Sequence, residues 1–270
     1  MYHILICMST GEAMKIVSLL ENTTNKGLGV EHGLSLYIEA LGKKILFDFG
    51  ASELFCENAK RLGVDLAKVD FAVLSHGHND HGGGLKAFLD MNAHAPIYIN
   101  THAFEPHYNA KSEYIGLDTS LKDSRRLVPV ENTLKIDTGL TVFNCNTLNT
   151  VTQINHCGHT KIENGLSLPE DYNHEQYLLI EENNNRILLS GCSHKGIINI
   201  MEWVKPSHLI GGFHFSKLPL GTALLNQADR LNSYNAKYYT CHCTGVEQFE
   251  FMKPHLKGLN YLACGDQLSI

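Results

Sequence analysis

Short apolar runs separated by turn residues recur along the chain, and most of them predict β-strands. Residues 35–39 and 44–48, joined by a short glycine-containing turn, predict an antiparallel hairpin. Residues 176–182 and 186–190, on either side of three asparagines, predict a second one. Residues 69–74 form an apolar run long enough for a buried strand but too short for a helix. The chain is therefore expected to contain two regions, each built around a hairpin.

Helices are predicted after both hairpins. One is expected from Ser52 to Leu62, with Gly63 as its stop. Another follows His194, and Thr244 with Glu247 has the spacing of a capping box for a third. Two hairpin-plus-helix halves imply two sheets packed together with helices outside. The apolar face predicted for the helix after His194 consists of Ile197, Ile198, Ile200, Met201 and Val204.

The remaining segments complete a one-domain interpretation of residues 1–270. Residues 1–7 predict a first strand and residues 260–270 a last one, whereas 155–172 predicts an irregular connection. The polar stretch at about 102–135 has weak periodicity and predicts an excursion from the core that covers a site. Because no proline- or serine-rich linker divides the halves, a single domain is expected.

Four candidate metal-binding side chains lie close together in the segment His76-Gly-His78-Asn-Asp80-His81, directly after the apolar run at 69–74. Alternate residues of an extended chain project to one side, so His76 and His78 can hold one ion. Once the chain turns at glycines 82–84, Asp80 and His81 can reach a second position. Imidazole and carboxylate donors suit zinc, iron or manganese. The glycines are expected to adopt conformations closed to other residues and to let a substrate approach.

Composition narrows the functional classes. The chain has 270 residues, with 22 basic and 28 acidic side chains and a formal charge of −6. The absence of a long basic run argues against nucleic acid as the main partner, and no apolar run approaches the roughly 18 residues of a membrane span. The first residues lack the pattern of a signal peptide, and the eight cysteines are dispersed. A cytoplasmic protein with reduced thiols and a small-molecule substrate is expected.

The histidine-rich segment resembles the signature of the metallo-β-lactamase superfamily, and so does the order of strands and helices around it. The resemblance implies an α/β fold of the four-layer αββα sandwich type and one or two divalent ions, zinc before iron or manganese. It implies that Asp48 lies behind the metal site and orients a ligand, which makes Asp48 and Asp80 the candidate catalytic residues. Cys192 stands where most members have a bridging aspartate, so either its thiolate ligates, or His194 supplies the donor, or Cys192 is a packing residue.

The histidines that complete the metal centre stay open at this stage. His159, His174 and His194 compete as the third ligand of the first ion. His242 at a predicted strand end best matches the last metal-ligating histidine, and His214 is its rival, expected at substrate or metal. The predicted metal ligands are His76, His78, Asp80, His81, Cys192, His194 and His242.

Three phrases, Gly-Cys-Ser-His-Lys-Gly-Ile-Ile-Asn, Gly-Gly-Phe-His and Cys-His-Cys-Thr-Gly, resemble a branch of the superfamily that includes dihydropterin–arylamine ribose phosphate synthases. The resemblance implies a hydrolase that uses a metal-bound hydroxide, oriented or deprotonated by Asp80, on a small phosphate-bearing or ester-like substrate. Lys195 and helix N-termini are expected to bind its anionic part. The alternatives are pterin-methyl transfer on the same scaffold and a non-catalytic metal or redox sensor.

Overall fold

Two seven-stranded sheets organise residues 13–270, the part of the chain that the computed structural model describes. The strand predicted at 1–7 lies outside the described residues. The strands are β1 (Lys15–Leu20), β2 (Ser35–Ala40), β3 (Lys43–Phe47), β4 (Phe71–Val73), β5 (Ile97–Asn100), β6 (His107–Tyr108), β7 (Leu127–Val130), β8 (Thr133–Asp137), β9 (Leu140–Phe143), β10 (Thr160–Glu163), β11 (Leu166–Pro169), β12 (Tyr177–Glu182), β13 (Asn185–Ser190), β14 (His208–Gly211), β15 (Lys237–Thr240), β16 (Leu259–Tyr261) and β17 (Gln267–Ser269). The α-helices are α1 (Leu54–Arg61), α2 (Asn79–Gly82), α3 (Leu85–Met91), α4 (Ile197–Val204), α5 (Thr222–Leu231) and α6 (Val246–Met252).

The molecule consists of four layers, which are held together by clusters of buried apolar residues. The first sheet has the order β17-β1-β2-β3-β4-β5-β7 and the second β16-β15-β14-β13-β12-β9-β8. One buried cluster joins the two sheets, with Phe47 facing residues such as Leu189. A second cluster packs α1 and α3 on the first sheet, and a third packs α4, α5 and α6 on the other. This arrangement is the predicted αββα sandwich. Among residues 13–270, no helix is both long and apolar enough to cross a membrane.

The strongest local patterns are confirmed. β2–β3 and β12–β13 pair as antiparallel hairpins, and the run at 69–74 forms the short buried strand β4. The first predicted helix has Glu53 as its N-cap, one residue after Ser52, which was the expected N-cap, and it runs from Leu54 to Arg61. The predicted capping box is wrong, since Gly245 precedes α6 and the Thr244 hydroxyl accepts the Phe213 N–H at 2.8 Å. Thr244 therefore joins two strand ends and leaves the helix uncapped by a side chain.

Weakly patterned segments contain strands that the sequence missed. The connection at 155–172 contains the hairpin β10–β11, which pairs with β6 as a small third sheet. Within 102–135, β7 and β8 belong to the edges of the two large sheets, so the departure from those sheets ends before Leu127. The single strand expected over 260–270 is two short strands, β16 and β17, in different sheets. Short or exposed edge strands carry little hydrophobic alternation, which explains these errors.

The three glycines after His81 correct another expectation. Gly83 and Gly84 have ordinary backbone φ angles of −62° and −81°. A Cβ atom on Gly83 would lie 2.2 Å from the Ala51 carbonyl oxygen, and one on Gly84 would lie 2.2 Å from the Phe49 carbonyl oxygen. These glycines therefore let the loop after β3 pack against α2. They do not give the chain an unusual turn, and the space beside them is filled by protein backbone rather than left for a substrate.

Candidate metal centre

The predicted site residues meet where parallel strands of both sheets end. β3 and β4 are parallel in the first sheet, and β13, β14 and β15 are parallel in the second. Carboxyl ends of parallel strands share one edge of a sheet, and loops at such an edge commonly bind ligands. The candidate site residues follow these strands. In chain order they are Asp48, the segment 75–81, the segment 192–194, His214 and His242.

Four residues of these loops hold backbone conformations that non-glycine residues rarely adopt. The φ angle is 63° at Asp48, 58° at Ser193, 58° at His214 and 50° at His242. Such conformations cost free energy and persist where the surrounding structure enforces them, which is common at functional sites.

The first group of donors contains His76, Cys192 and His194, all buried. The Nε2 atoms of His76 and His194 are 3.3 Å apart. Two nitrogens bound to one tetrahedral zinc at 2.0–2.1 Å would be separated by about 3.3 Å. The two imidazoles therefore have the spacing of ligands that share an ion.

The second group contains Asp80, His81, Cys192 and His242. The His81 Nε2 atom lies 3.1 Å from His242 Nε2 and 3.2 Å from Cys192 Sγ. An Asp80 carboxylate oxygen lies 3.2 Å from His242 Nε2. Cys192 belongs to both groups, so its sulfur lies at the junction where the resemblance expects a bridging carboxylate.

Asp48 orients the imidazoles of His81 and His76 through hydrogen bonds on their Nδ1 side. Its Oδ2 accepts from His81 Nδ1 at 2.7 Å, which leaves the His81 Nε2 lone pair free for a cation. The Ser75 hydroxyl donates to the same oxygen at 2.7 Å and lies 2.9 Å from His76 Nδ1. Ser75 can therefore accept the His76 Nδ1 proton, which frees His76 Nε2 in the same way. The fully buried Asp48 acts through His81 and Ser75 rather than by contact with a substrate.

Two further buried carboxylates hold the backbone of the second-half loops. Glu175 accepts the N–H groups of His194 at 2.7 Å and Lys195 at 3.1 Å. Glu21 accepts the His242 N–H at 2.6 Å, and the Asn22 side-chain oxygen lies 2.9 Å from His242 Nδ1. Sequence reasoning missed both glutamates, because each lies beside a strand with no motif around it.

Burial sets the charge state of the first donor group. It lowers the pKa of His76 and His194 well below the usual value, and the neighbouring imidazoles lower it further. It also lowers the pKa of His78, which forms a further donor group with His76 and Asp80, although the Asp80 carboxylate opposes that shift. These rings are therefore neutral at pH 7, which is the form that binds a metal.

The second donor group behaves differently because it contains the Asp80 carboxylate and contacts that of Asp48. Burial opposes a charge on His81, but Asp48 and Asp80 outweigh that effect and raise the pKa of the imidazole. Burial also opposes ionisation of Asp80, but His81 and His242 outweigh it and hold the carboxyl pKa well below its usual range. The Asp80 carboxylate therefore gives this half of the site an anionic donor for a cation.

We expect the metal-free protein to lose stability as the pH falls below about 6.5. An imidazole whose pKa is lowered on folding stabilises the protein above its unfolded pKa of 6.5, and each contributes a slope of about 1.4 kcal/mol per pH unit below it. His81 has the opposite sign, because its raised pKa contributes stability that is present at low pH and lost as the pH rises. The rings with a lowered pKa are more numerous: His76, His78, His174, His194 and His214.

Thermal unfolding of chelator-treated protein between pH 8 and pH 5 measures this dependence. A variant with His76→Gln and His78→Gln should show a shallower fall, because two of the responsible rings are gone. A melting temperature that stays constant or rises towards pH 5 would contradict the expectation.

The other predicted histidines surround the donors. The His214 ring lies 4.4 Å from that of His194, and burial lowers its pKa to about 3. His159 lies at the rim, with ring-centroid distances of 5.6 Å to His78 and 6.0 Å to His194. His174 uses its Nδ1 atom to accept the Gly77 N–H at 2.8 Å. Of the three candidates for the third ligand, the spacing of nitrogen atoms favours His194.

Lys195 lies close to the centre, and Asn146 and Glu175 hold it in place. The side chain is buried, its ammonium donates to Asn146, and its backbone N–H donates to Glu175. Burial lowers the pKa of Lys195 despite the nearby Glu175 carboxylate. The binding of a substrate anion by Lys195 remains a prediction, and the ammonium has further N–H donors beside the one that Asn146 accepts.

A cavity of about 160 Å³ opens beside His194 and His214. Its apolar wall includes Phe213 and Phe215, and side-chain amides such as Gln153 contribute the polar part. Within the described part of the chain, neither lysine nor arginine lines it. The cavity therefore suits an uncharged group next to the donors.

We expect Cys192→Ser to reduce the number of metal ions bound per chain. Burial raises the pKa of the Cys192 thiol well above its usual value, so a nearby cation is needed to make it a thiolate ligand. Elemental analysis gives the stoichiometry, and the spectrum of the cobalt form reports sulfur ligation. Cys264→Ser is the matched control, because Cys264 is also buried but lies outside both donor groups, with its Sγ donating to the Leu19 carbonyl oxygen at 3.2 Å. An unchanged stoichiometry in Cys192→Ser would make Cys192 a packing residue.

The layer order and the position of the donors at the strand ends are those of the metallo-β-lactamase class of folds. The chain belongs to the Metallo-beta-lactamase superfamily, whose sequence profile matches residues 28–234. This membership confirms the resemblance read from the histidine-rich segment.

Individual proteins extend the comparison. The chain is 30% identical to an uncharacterized protein of Methanocaldococcus jannaschii, over 85% of this chain and 90% of that one. It is 28% identical to the 7,8-dihydropterin-6-methyl-4-(beta-D-ribofuranosyl)-aminobenzene-5'-phosphate synthase of the same organism, over 87% and 88%. A crystal structure described as a metal-dependent hydrolase of the beta-lactamase superfamily matches with a TM-score of 0.79 at 24% identity, covering 95% of this chain and 99% of that one. That last likeness concerns the fold.

Proposed function

We propose that this chain is a metal-dependent hydrolase of a small ester-like or phosphate-bearing molecule, with one or two divalent ions and zinc as the first candidate. The observation that carries the proposal is the meeting of two donor groups at Cys192, with donor distances of 3.1–3.3 Å. Neutral imidazoles in one group and carboxylates in the other match the donors that zinc accepts. The residues that would hold the ions are His76, His78 and His194 for one and Asp80, His81 and His242 for the other, with Cys192 between them.

When bound, such an ion lowers the pKa of a water ligand towards about 7 and polarises an ester or phosphate oxygen. Asp80, whose side chain is 19% exposed, can accept a hydrogen bond from the attacking water. Its low pKa makes it better suited to orient that water than to store its proton. His214, beside the cavity, can hydrogen-bond the substrate as a neutral imidazole.

The cavity supports the ester-like half of the proposal more directly than the phosphate-bearing half. An uncharged group can be buried against Phe213 and Phe215 without a compensating cation. We propose a small molecule as substrate and the cytoplasm as the place of action, in keeping with the dispersed cysteines.

A panel of lactone, thioester, phosphodiester and pterin substrates tests the reaction type. We expect steady product release from at least one lactone or phosphoester without an amine acceptor. Activity should disappear with a chelator and return with zinc, and the variant His76→Ala/His78→Ala should stay inactive in zinc. Zinc-independent turnover, or turnover equal to that of this variant, would contradict the proposal.

A second candidate function is transfer of a pterin-methyl group to an arylamine. The 28% identity with the synthase over 87% of this chain favours it. In that case product would form from a pterin-methyl diphosphate only when an arylamine ribose phosphate is added. Diphosphate release without the amine would return the assignment to hydrolysis.

A further inference from the structure

Three buried imidazoles, those of His78, His107 and His174, form a cluster that shares His78 with the metal centre. Nitrogen atoms of the three rings lie within 4.8 Å of one another. The Nε2 atom of each ring is buried and lacks a hydrogen-bond partner among the described residues. Buried polar atoms without partners are costly, so their convergence calls for a physical account.

His107 has a defined tautomer because of Glu170. The His107 Nδ1 atom lies 2.7 Å from Glu170 Oε2, and both side chains are buried. A carboxylate oxygen can only accept, so Nδ1 carries the proton. The Nε2 atom of a neutral His107 is therefore a hydrogen-bond acceptor that faces the cluster.

His174 has the opposite tautomer because of the backbone. The Gly77 N–H donates to His174 Nδ1 at 2.8 Å, so the proton of a neutral ring sits on Nε2. A metal ion in this cluster would need the lone pair that this proton occupies. The cluster is therefore suited to hydrogen bonding rather than to a third ion. The acceptor nearest to the His174 Nε2 proton on the Glu170 side is Glu170 Oε1, at 3.7 Å from Nε2.

The rings of His78 and His107 are neighbours in an edge-to-face arrangement. Their ring centroids are 5.6 Å apart with an interplanar angle of 76°. Two imidazoles joined by an in-line N–H···N bond have centroids about 5 Å apart. The two rings must therefore approach and align for that bond to form, and hydrogen bonds at catalytic sites commonly tighten when the site binds its ligand.

We propose that His107 and Glu170 are positioning residues that fix the tautomer of the metal ligand His78. Glu170 accepts from His107 Nδ1, and His107 Nε2 accepts from His78 Nε2. The His78 proton is thereby held on Nε2, and its Nδ1 lone pair is left for the ion. The inference rests on the proposed metal centre. Outer partners of this kind orient ligand imidazoles and raise their basicity.

The inference also gives the small third sheet a purpose. His107 lies in β6, and Glu170 directly follows β11. The two strands are held together by β10, which pairs with both of them. The sheet thus brings together two side chains 63 residues apart in the sequence.

Glu170→Gln tests the relay without changing the shape of the side chain. An amide NH₂ facing His107 Nδ1 reverses the His107 tautomer, which then presents an N–H to His78. We expect zinc affinity, measured by competition with a chelator, to fall about 10–100-fold. Nitrogen-15 NMR of the zinc-free protein should show the proton of His78 moving from Nε2 to Nδ1.

Glu105→Gln is the matched control, because Glu105 pairs with His102 at 2.6 Å in a partly exposed pair of the same type. It should keep the wild-type affinity and the wild-type His78 tautomer. If wild-type protein binds no zinc, the proposed function fails. If wild type binds zinc and Glu170→Gln binds it equally well with an unchanged His78 tautomer, only the relay is overturned.

Two substitutions of His107 decide the matter if Glu170→Gln does not fold. His107→Gln keeps an acceptor for His78 and a donor for Glu170, so it should retain most of the zinc affinity. His107→Leu has similar bulk and neither group, so it should lose affinity about as much as Glu170→Gln. Equal affinity in the two variants, high or low, would overturn the inference.

Discussion

Replacing His76 and His78 together by alanine is expected to abolish metal binding and to leave a folded protein. Outer partners of metal ligands already contribute about 10–100-fold in affinity, so the loss of two direct donors should exceed 100-fold. The fold should persist because three apolar clusters, none of which contains a histidine, hold the four layers together. Elemental analysis measures the metal, and circular dichroism with thermal unfolding measures the fold.

The matched control is His94→Ala/His255→Ala, which removes two exposed imidazoles. It should keep the wild-type metal content and hydrolytic activity. Full metal content in the His76→Ala/His78→Ala protein would refute the assignment of both histidines as ligands. If the zinc-free variant unfolds while the zinc-free wild-type protein stays folded, the claim that the apolar core is sufficient for folding is refuted.

Asp48→Asn should weaken zinc binding about 10–100-fold and destabilise the metal-free protein by about 1–3 kcal/mol. The carboxylate accepts three hydrogen bonds at 2.7 Å, from the Ser75 N–H, the Ser75 hydroxyl and His81. An amide offers one oxygen in place of two, so one buried donor must face an N–H group. If the amide donates to His81 Nδ1, the His81 proton moves to Nε2, where it blocks the ligand lone pair.

Zinc competition and urea unfolding of chelator-treated protein measure the two effects. Asp70→Asn is the control, because Asp70 also accepts a backbone N–H at 2.7 Å, from Lys44, but is exposed. It should change affinity and stability little, since solvent can satisfy the lost acceptor. Wild-type affinity in Asp48→Asn would show that His81 does not depend on this carboxylate.

The parts of the fold predicted from sequence are those with strong local periodicity. Both hairpins consist of short apolar runs bounded by turn residues, and the buried residues of α4 follow the spacing of a helix. The hairpin β10–β11 was missed because residues 166–169 are exposed along their whole length. Both β16 and β17 have three residues, too few for a recognisable alternation.

The candidate site divides in the same way. His76, His78, Asp80 and His81 fall within six residues, so their spacing is a local property that sequence exposes. The His81–His242 approach at 3.1 Å joins residues 161 positions apart. It depends on which strand ends the two sheets bring together, and no local pattern records that.

Sequence alone determined that this chain forms an αββα sandwich of the metallo-β-lactamase superfamily with a cluster of metal donors after a buried strand. Periodicity and a compact motif are properties of neighbouring residues, and they survive without a three-dimensional frame. Tertiary structure alone decided that Cys192 lies between two donor groups, that Ser75 links Asp48 to His76, and that the small sheet brings Glu170 to His107. Those contacts arise from packing between distant segments, where a shift of one ångström makes or removes a hydrogen bond.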